Sequence, residues 1–148
     1  KEPVLVRSPN ATRPWQHVVE PLTGYLRLAE RMYFKKSFAG SWNFGPNLKE
    51  NMKVFDLVNY SKKILLSKSK ILLEKKKYYE SNNLALNSSK SLKKLKWKTI
   101  LKAREAIKMT LDWYSFYFKN RKRDKNSIVK FSLQQIQDFN KVASKRKF

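Results

Sequence analysis

The chain has 148 residues, 41% hydrophobic and 14% aromatic, with three glycines and five prolines, which is one domain of packable sequence and excludes a disordered tail or low-complexity linker. There are 34 Lys+Arg against 11 Asp+Glu, a net charge of +23, and no cysteine, which excludes a disulfide framework, a thiolate zinc site and a cysteine nucleophile. No apolar run approaches the roughly 18–20 residues that span a bilayer; with no leader-like start, a cytoplasmic protein without a membrane partner is expected. Lys1 opens directly onto a strand-like run, so it is expected to be a cut within a longer polypeptide.

In chain order, residues 3–7 predict a short strand, stopped by Ser8-Pro9-Asn10. Residues 11–19 read as an ordered loop. Pro21 suits the first turn of a helix, and Leu22, Tyr25, Leu26, Ala29, Met32 and Tyr33 recur at the spacing of one face of that helix; an isolated lobe is expected to expose an apolar face. Residues 41–46 read as a short strand ending in a Gly-Pro turn. A second helix is expected over 55–67, with Phe55, Val58, Ile64 and Leu65 apolar, then a strand at 71–73 and another at 82–87. Ser88 or Ser89 would cap a short helix carrying Leu92 and Leu95. The strongest helix is 102–119, with a stripe from Ala103 to Phe118 and an aromatic end at Trp113, Tyr114, Phe116, Tyr117 and Phe118. Residues 121–125 read as a solvated loop, and Ser132 as the cap of a last helix carrying Leu133, Ile136, Phe139 and Val142.

Several chemistries are missing. The glycines, Gly24, Gly40 and Gly45, form neither a dinucleotide-binding nor a P-loop pattern. One histidine and no cysteine leave no zinc cluster, and the few carboxylates are dispersed, against a paired acid/base dyad. No tyrosine has a lysine four residues later, so the Tyr-x-x-x-Lys pair that lets a tyrosine act as acid/base beside a nicotinamide is absent. Catalysis by this chain alone is not expected.

One segment is informative. Arg7-Ser8-Pro9-Asn10 leads through Arg13-Pro14-Trp15-Gln16-His17 to Glu20-Pro21-Leu22 and Gly24-Tyr25-Leu26. A guanidinium, an aromatic ring and amides in one loop before a helix start suit a diphosphate, although Arg13 could equally be a surface or salt-bridging arginine on these grounds. His17 is tempting as an acid/base, but a lone histidine beside a helix start is more often a hydrogen-bonded structural residue. The aromatic run at 113–118 could stack bases, but its helical spacing favours core packing or packing on a missing half. The positive charge would attract a polyanion. Its lysines, however, are scattered among apolar residues, as on a solvated helix face, so nucleic acid is not the expected partner.

This segment closely resembles the CDP-glucose 4,6-dehydratases of the extended short-chain dehydrogenase/reductase superfamily, whose C-terminal region carries Arg-x-Pro-Asn-x-x-Arg-Pro-Trp-Gln-His-Val-x-Glu-Pro-Leu-x-Gly-Tyr-Leu. Trp42-Asn43-Phe44-Gly45-Pro46, Leu84, Leu86 and Ser89-Lys90, Leu95-Lys96-Trp97, Trp113-Tyr114 and Ser132-Leu133-Gln134-Gln135-Ile136 resemble later parts of the same pattern, from about Glu2 to Phe139. Tyr79, before Glu80, stands where the family has histidine, Asn87 where it has aspartate, and Lys96 where it has glycine; residues 67–77 are unusually rich in lysine.

The resemblance implies an α+β, mostly α chain: residues 1–148 as one C-terminal substrate-binding lobe of an extended Rossmann-type (α/β) dehydratase, without the N-terminal NAD-binding Rossmann half. It implies a lyase that oxidises an NDP-glucose at C4, eliminates water across C5 and C6 and returns hydride to C6, giving the 4-keto-6-deoxy sugar nucleotide for deoxysugar biosynthesis. NAD and the catalytic residues would belong to the missing half, which would be this chain's partner, with CDP-glucose or a related sugar nucleotide as ligand and room for a homodimer of the full enzyme. Arg13 would sit at the diphosphate and Asn43 near the phosphate or nucleotide, with Arg7, Asn10 and Gln16 as weaker contacts. The alternative is a stand-alone basic module for RNA or an anionic surface.

Overall fold

A computed structural model describes residues 2–74, 81–120 and 124–146. The fold is helix-rich with few, short strands. Strand β1 (Val4–Val6) pairs in parallel with β4 (Ile71–Leu73), Val4 opposite Ile71. Strand β2 (Thr12–Arg13) pairs antiparallel with β3 (Met52–Lys53), Thr12 opposite Lys53. The helices are α1 (Val19–Phe34), α2 (Val54–Ile64), α3 (Ser89–Leu95), α4 (Ala103–Lys119) and α5 (Lys125–Lys145).

Two small cores hold these elements. Val19, Ile100 and Phe139 meet where the start of α1, the loop before α4 and the end of α5 converge. Phe44, Leu95 and Trp97 form the second, with the Phe44 ring edge-on to both Trp97 (5.0 Å) and Tyr25 (5.3 Å). The Trp97 indole N–H donates to Thr23 Oγ1 at 3.0 Å, so burying this ring leaves no donor unpaired.

The structure corrects several expectations. The loop before α1 contains β2. The expected strand at 41–46 does not form. Its carbonyls are taken by side chains instead: Ser41 by the Lys90 ammonium, Asn43 by Ser91 Oγ and Phe44 by Gln16 Nε2. At 82–87 there is a single bridge, Asn83 to Thr12, rather than a strand. Helix α2 stops at Ile64 because Leu66 turns left-handed, with φ 49°. Ser88 does occupy the cap position of α3, but its hydroxyl accepts from Gly45 N–H. Helix α5 begins seven residues before Ser132: Asp124 accepts from the N–H groups of Asn126 and Ser127, a stronger start signal that periodicity overlooked. Ser132 lies mid-helix and accepts from the Trp113 indole. Leu133 and Ile136 are exposed, and Phe139 carries that helix's burial. Tyr79, Glu80, most of the lysine-rich stretch after 74 and residues 121–123 lie outside the described residues.

Helix α1 forms as its periodicity predicts. The apolar face of that helix points outward, with Leu26 73% and Tyr33 85% exposed, while Val19, Glu20 and Gly24 are buried. Hydrophobic periodicity finds the helix but cannot say what lies against it.

Lys96 ends α3 in the left-handed region, φ 54° and ψ 29°, at the position where the resembling sequences have glycine. That conformation costs an L-residue about 1–2 kcal/mol, and glycine gives back roughly 0.5–1 kcal/mol in unfolded-chain entropy. Lys96→Gly is therefore expected to stabilise the chain by about 0.5–1 kcal/mol, read as a rise in melting temperature of about 2 °C or more.

Candidate functional site

The site is built on the loop from β1 to α1. Arg7 and Asn10 are exposed at its start, on a tight turn closed by the bond from Ala11 N–H to the Ser8 carbonyl. The turn is pinned to the start of α2, whose Phe55 and Val54 N–H groups donate to the carbonyls of Pro9 and Ala11. Arg13, half-buried in β2, folds its guanidinium back so that Nη1 donates to the Thr12 carbonyl at 2.9 Å. The Trp15 indole donates to the Met52 carbonyl at 3.0 Å, fixing the loop to β3.

Gln16 makes the decisive link. Its Nε2 donates to the Phe44 carbonyl at 2.9 Å, which brings the Arg13–Gln16 turn against the segment carrying Asn43. Asn43 is exposed and donates through Nδ2 to the Asn87 carbonyl at 3.3 Å. Of the five expected residues, Gln16 and Asn43 thus lie on segments bonded to each other, Arg13 sits opposite Met52 in the strand that leads to Gln16, and Arg7 and Asn10 lie at the other end of the loop beside α2. Two cavities flank these segments. One of about 500 Å³ has Gln16 and His17 in its wall beside Trp113 and Gln135. The other, of about 580 Å³, is lined by Gly45, Asn87, Ser88 and Lys98 among others.

His17 accepts the Val19 N–H on Nδ1 at 3.2 Å, and burial holds its pKa below the ordinary value. Its ring pins the entry to α1 through that bond, as the structural reading of a lone histidine expects.

Sequence reasoning missed the residues that hold this arrangement. Glu20, 1% exposed, accepts from Ile100 N–H through both oxygens (2.9 and 3.1 Å) and from Leu101 N–H at 2.7 Å. Burial raises its pKa more than these amides and the nearby Arg146 lower it. Ser91, fully buried, donates to the Asn43 carbonyl and fixes that segment from behind. Gly24 admits the Phe44 ring: a Cβ there would have three ring carbons within 2.8 Å. A carboxylate in the first turn of a helix and small residues spaced for one helix face were the available signals, and both also fit plain surface positions.

Among the described residues no group of three or more His, Cys, Asp or Glu could hold a metal ion, and no helix is long and apolar enough to cross a membrane.

No family model matches the chain. It is 30% identical over 118 residues to the CDP-glucose 4,6-dehydratase of Salmonella typhimurium (strain LT2), a match covering 78% of this chain and 33% of that protein. Two solved structures share its fold. RMD from Pseudomonas aeruginosa, complexed with NADPH, superposes with a TM-score of 0.61 at 17% identity, over 74% of this chain and 34% of that one. The dTDP-glucose 4,6-dehydratase of Bacillus anthracis str. Ames, in complex with NAD, gives the same TM-score and identity over 84% and 37%. The chain spans about a third of the length of each.

Proposed function

From the premise that this chain belongs to the CDP-glucose 4,6-dehydratase family, of whose Salmonella member it spans 33%, we propose that it is the sugar-nucleotide-binding lobe of a dehydratase that converts an NDP-glucose to the NDP-4-keto-6-deoxy sugar. Residues 1–148 form the C-terminal lobe, and a cofactor-binding domain outside this chain supplies the chemistry. The observation that carries the reading is the Gln16–Phe44 bond, which unites the arginine loop and the asparagine segment of the family's signature at one place.

Arg13 is the diphosphate ligand: a guanidinium fork matches paired phosphate oxygens better than an ammonium does. Asn43 offers an exposed amide to a phosphate or the nucleotide. Gln16, whose Nε2 already serves Phe44, positions these two. Arg7 and Asn10 are secondary contacts. The net charge of +23 favours an anionic ligand generally.

NAD does not fit this chain. Gly24 and Gly45 are spent on packing against Phe44 and Leu86, Gly40 lies outside any strand-to-helix turn, and no tyrosine–lysine pair is present. The dinucleotide of the parent enzyme is assigned to the other domain, and the lobe alone is inactive. The parent works in the cytoplasm.

The test is CDP-glucose binding by calorimetry to the polypeptide carrying both parts. Arg13→Ala should weaken binding about tenfold or more, the equivalent of about 1.4 kcal/mol, and Arg13→Lys should recover part of it. Unchanged affinity in Arg13→Ala would refute the assignment. The same charge favours a second reading, a stand-alone basic module. It requires RNA affinity that falls steeply with salt and also discriminates between sequences, since indiscriminate binding is expected of any protein this basic.

A further inference from the structure

Side chains hold residues 41–45 along both edges. Toward the start of α3, the Ser41 carbonyl accepts from Lys90 Nζ at 2.7 Å, the Asn43 carbonyl accepts from Ser91 Oγ, and the Gly45 N–H donates to Ser88 Oγ at 2.8 Å. Alternate residues thus turn their backbone to α3, as along one edge of a strand, while the Phe44 carbonyl turns the other way to Gln16. The middle bond comes from Ser91, a fully buried side chain. Its grip on the Asn43 backbone brings that residue's side chain against the Asn87 carbonyl, to which Nδ2 donates at 3.3 Å. Asn87 is itself fixed, its Oδ1 accepting from Ser89 N–H at 3.0 Å. A carbonyl can only accept, so the nitrogen end of the Asn43 carboxamide must face Asn87, and Oδ1 is the end turned away from α3. Asn43 is an exposed residue, so that end faces whatever the site binds.

We propose that Asn43 reads a hydrogen-bond donor on the ligand, a hydroxyl or an exocyclic amine, through Oδ1, and that Ser91 is the positioning residue that sets this polarity. The proposal rests on the ligand site proposed above and narrows what Asn43 meets there. A phosphate oxygen opposite Oδ1 would set acceptor against acceptor. The diphosphate is therefore left to Arg13, whose guanidinium has only donors to offer. The two residues divide the ligand by polarity: the fork takes the charge, and the carboxamide takes a neutral donor. An asparagine whose nitrogen is already bonded discriminates well, because a ligand without the donor leaves the oxygen unpaired once water is excluded.

The test starts on the 148-residue chain. By NMR, the Asn43 side-chain amide signals should move in Ser91→Ala toward those of a free carboxamide. The Asn51 amide, which donates to the Leu84 carbonyl, should stay in place. Unmoved Asn43 signals, or equal movement of both residues, would overturn the role of Ser91. CDP-glucose binding is then measured by calorimetry on the polypeptide carrying both parts. Asn43→Ala should weaken it about tenfold. Asn43→Asp, which keeps an acceptor and adds a negative charge, should bind more tightly than Asn43→Ala. The reverse order would mean that Asn43 donates to a phosphate, and would sink the idea. In turnover by the same polypeptide, Ser91→Ala should raise KM several-fold at unchanged kcat; a fall in kcat alone would count against it. Free CDP is the companion probe: a loss in Asn43→Ala for CDP-glucose alone places the donor on the glucose, and a loss for CDP as well places it on the cytidine. If Arg13→Ala weakens binding and Asn43→Ala does not, only this inference falls. A wild type that binds no CDP-glucose removes the site reading itself.

Discussion

Glu20→Ala is expected to destabilise the chain by about 3–5 kcal/mol. Two amides, Ile100 and Leu101, would lose their acceptor, and each unsatisfied buried donor costs about 1–3 kcal/mol. Against a total of about 5–15 kcal/mol for a typical domain, that is enough to unfold much of the population, and urea titration followed by far-ultraviolet circular dichroism would read it. Glu20→Gln is the informative companion, because it keeps shape and one acceptor. Burial raises the Glu20 pKa, so the folded state binds this proton more tightly than the unfolded chain. Its contribution is fully present below the unfolded value of about 4.3 and declines as pH rises through the raised folded value. The stability gap between wild type and Glu20→Gln should therefore be widest in acid and narrow as pH rises. Glu105 has the opposite sign. The Arg146 guanidinium, bonded to it at 2.7 and 2.9 Å, lowers its pKa, so its stabilisation exists above the ordinary carboxylate range and is lost in acid. A gap that widens with pH would show that the amides, not burial, dominate at Glu20.

Gly24→Ala is expected to cost about 3 kcal/mol despite a helix-propensity gain of about 1 kcal/mol. The added methyl would collide with the Phe44 ring, with three ring carbons within 2.8 Å. That ring cannot move aside, being held between Tyr25 and Trp97. Overpacking of a fixed core usually costs 1–3 kcal/mol, and here it adds disruption of the segment bearing Asn43. A thermal melt reads the first effect, and the shift of the Asn43 side-chain amide signals by NMR reads the second. A variant as stable as wild type would mean the Phe44 ring has another place to go.

Much of this was legible in the sequence. Helix α4 and strands β1 and β4 fall where periodicity put them, because contiguous patterns report local structure directly. The motif likeness picked out the Arg13 loop and the Asn43 segment, and Gln16 of the first bonds the Phe44 carbonyl of the second. What was not legible depends on what lies opposite. The apolar face of α1 was legible as a face, but its spacing carries no record of what lies against it. The segment at 41–46 looked like a strand because its composition suits one, yet Gln16, Lys90 and Ser91 occupy its carbonyls. Glu20 and Gly24 stood in the quoted motif and Ser91 did not, but the roles of all three were hidden for the same reason: their partners lie far away in sequence.

That distance has a consequence during synthesis. The Glu20 carboxylate waits for amides 80 and 81 positions further along, and Arg146 then closes the same corner by bonding the Ile100 carbonyl and Glu105 from the far end of α5. A ribosome adds about 5–20 residues per second, so α1 emerges on the order of ten seconds before its buried carboxylate can be satisfied. Over that interval the nascent helix has an unpaired charge on one side and bare apolar residues on the other. Closing so long a loop is also slow intrinsically. The corner around Glu20 is thus completed only when the loop before α4 and the end of α5 are both in place.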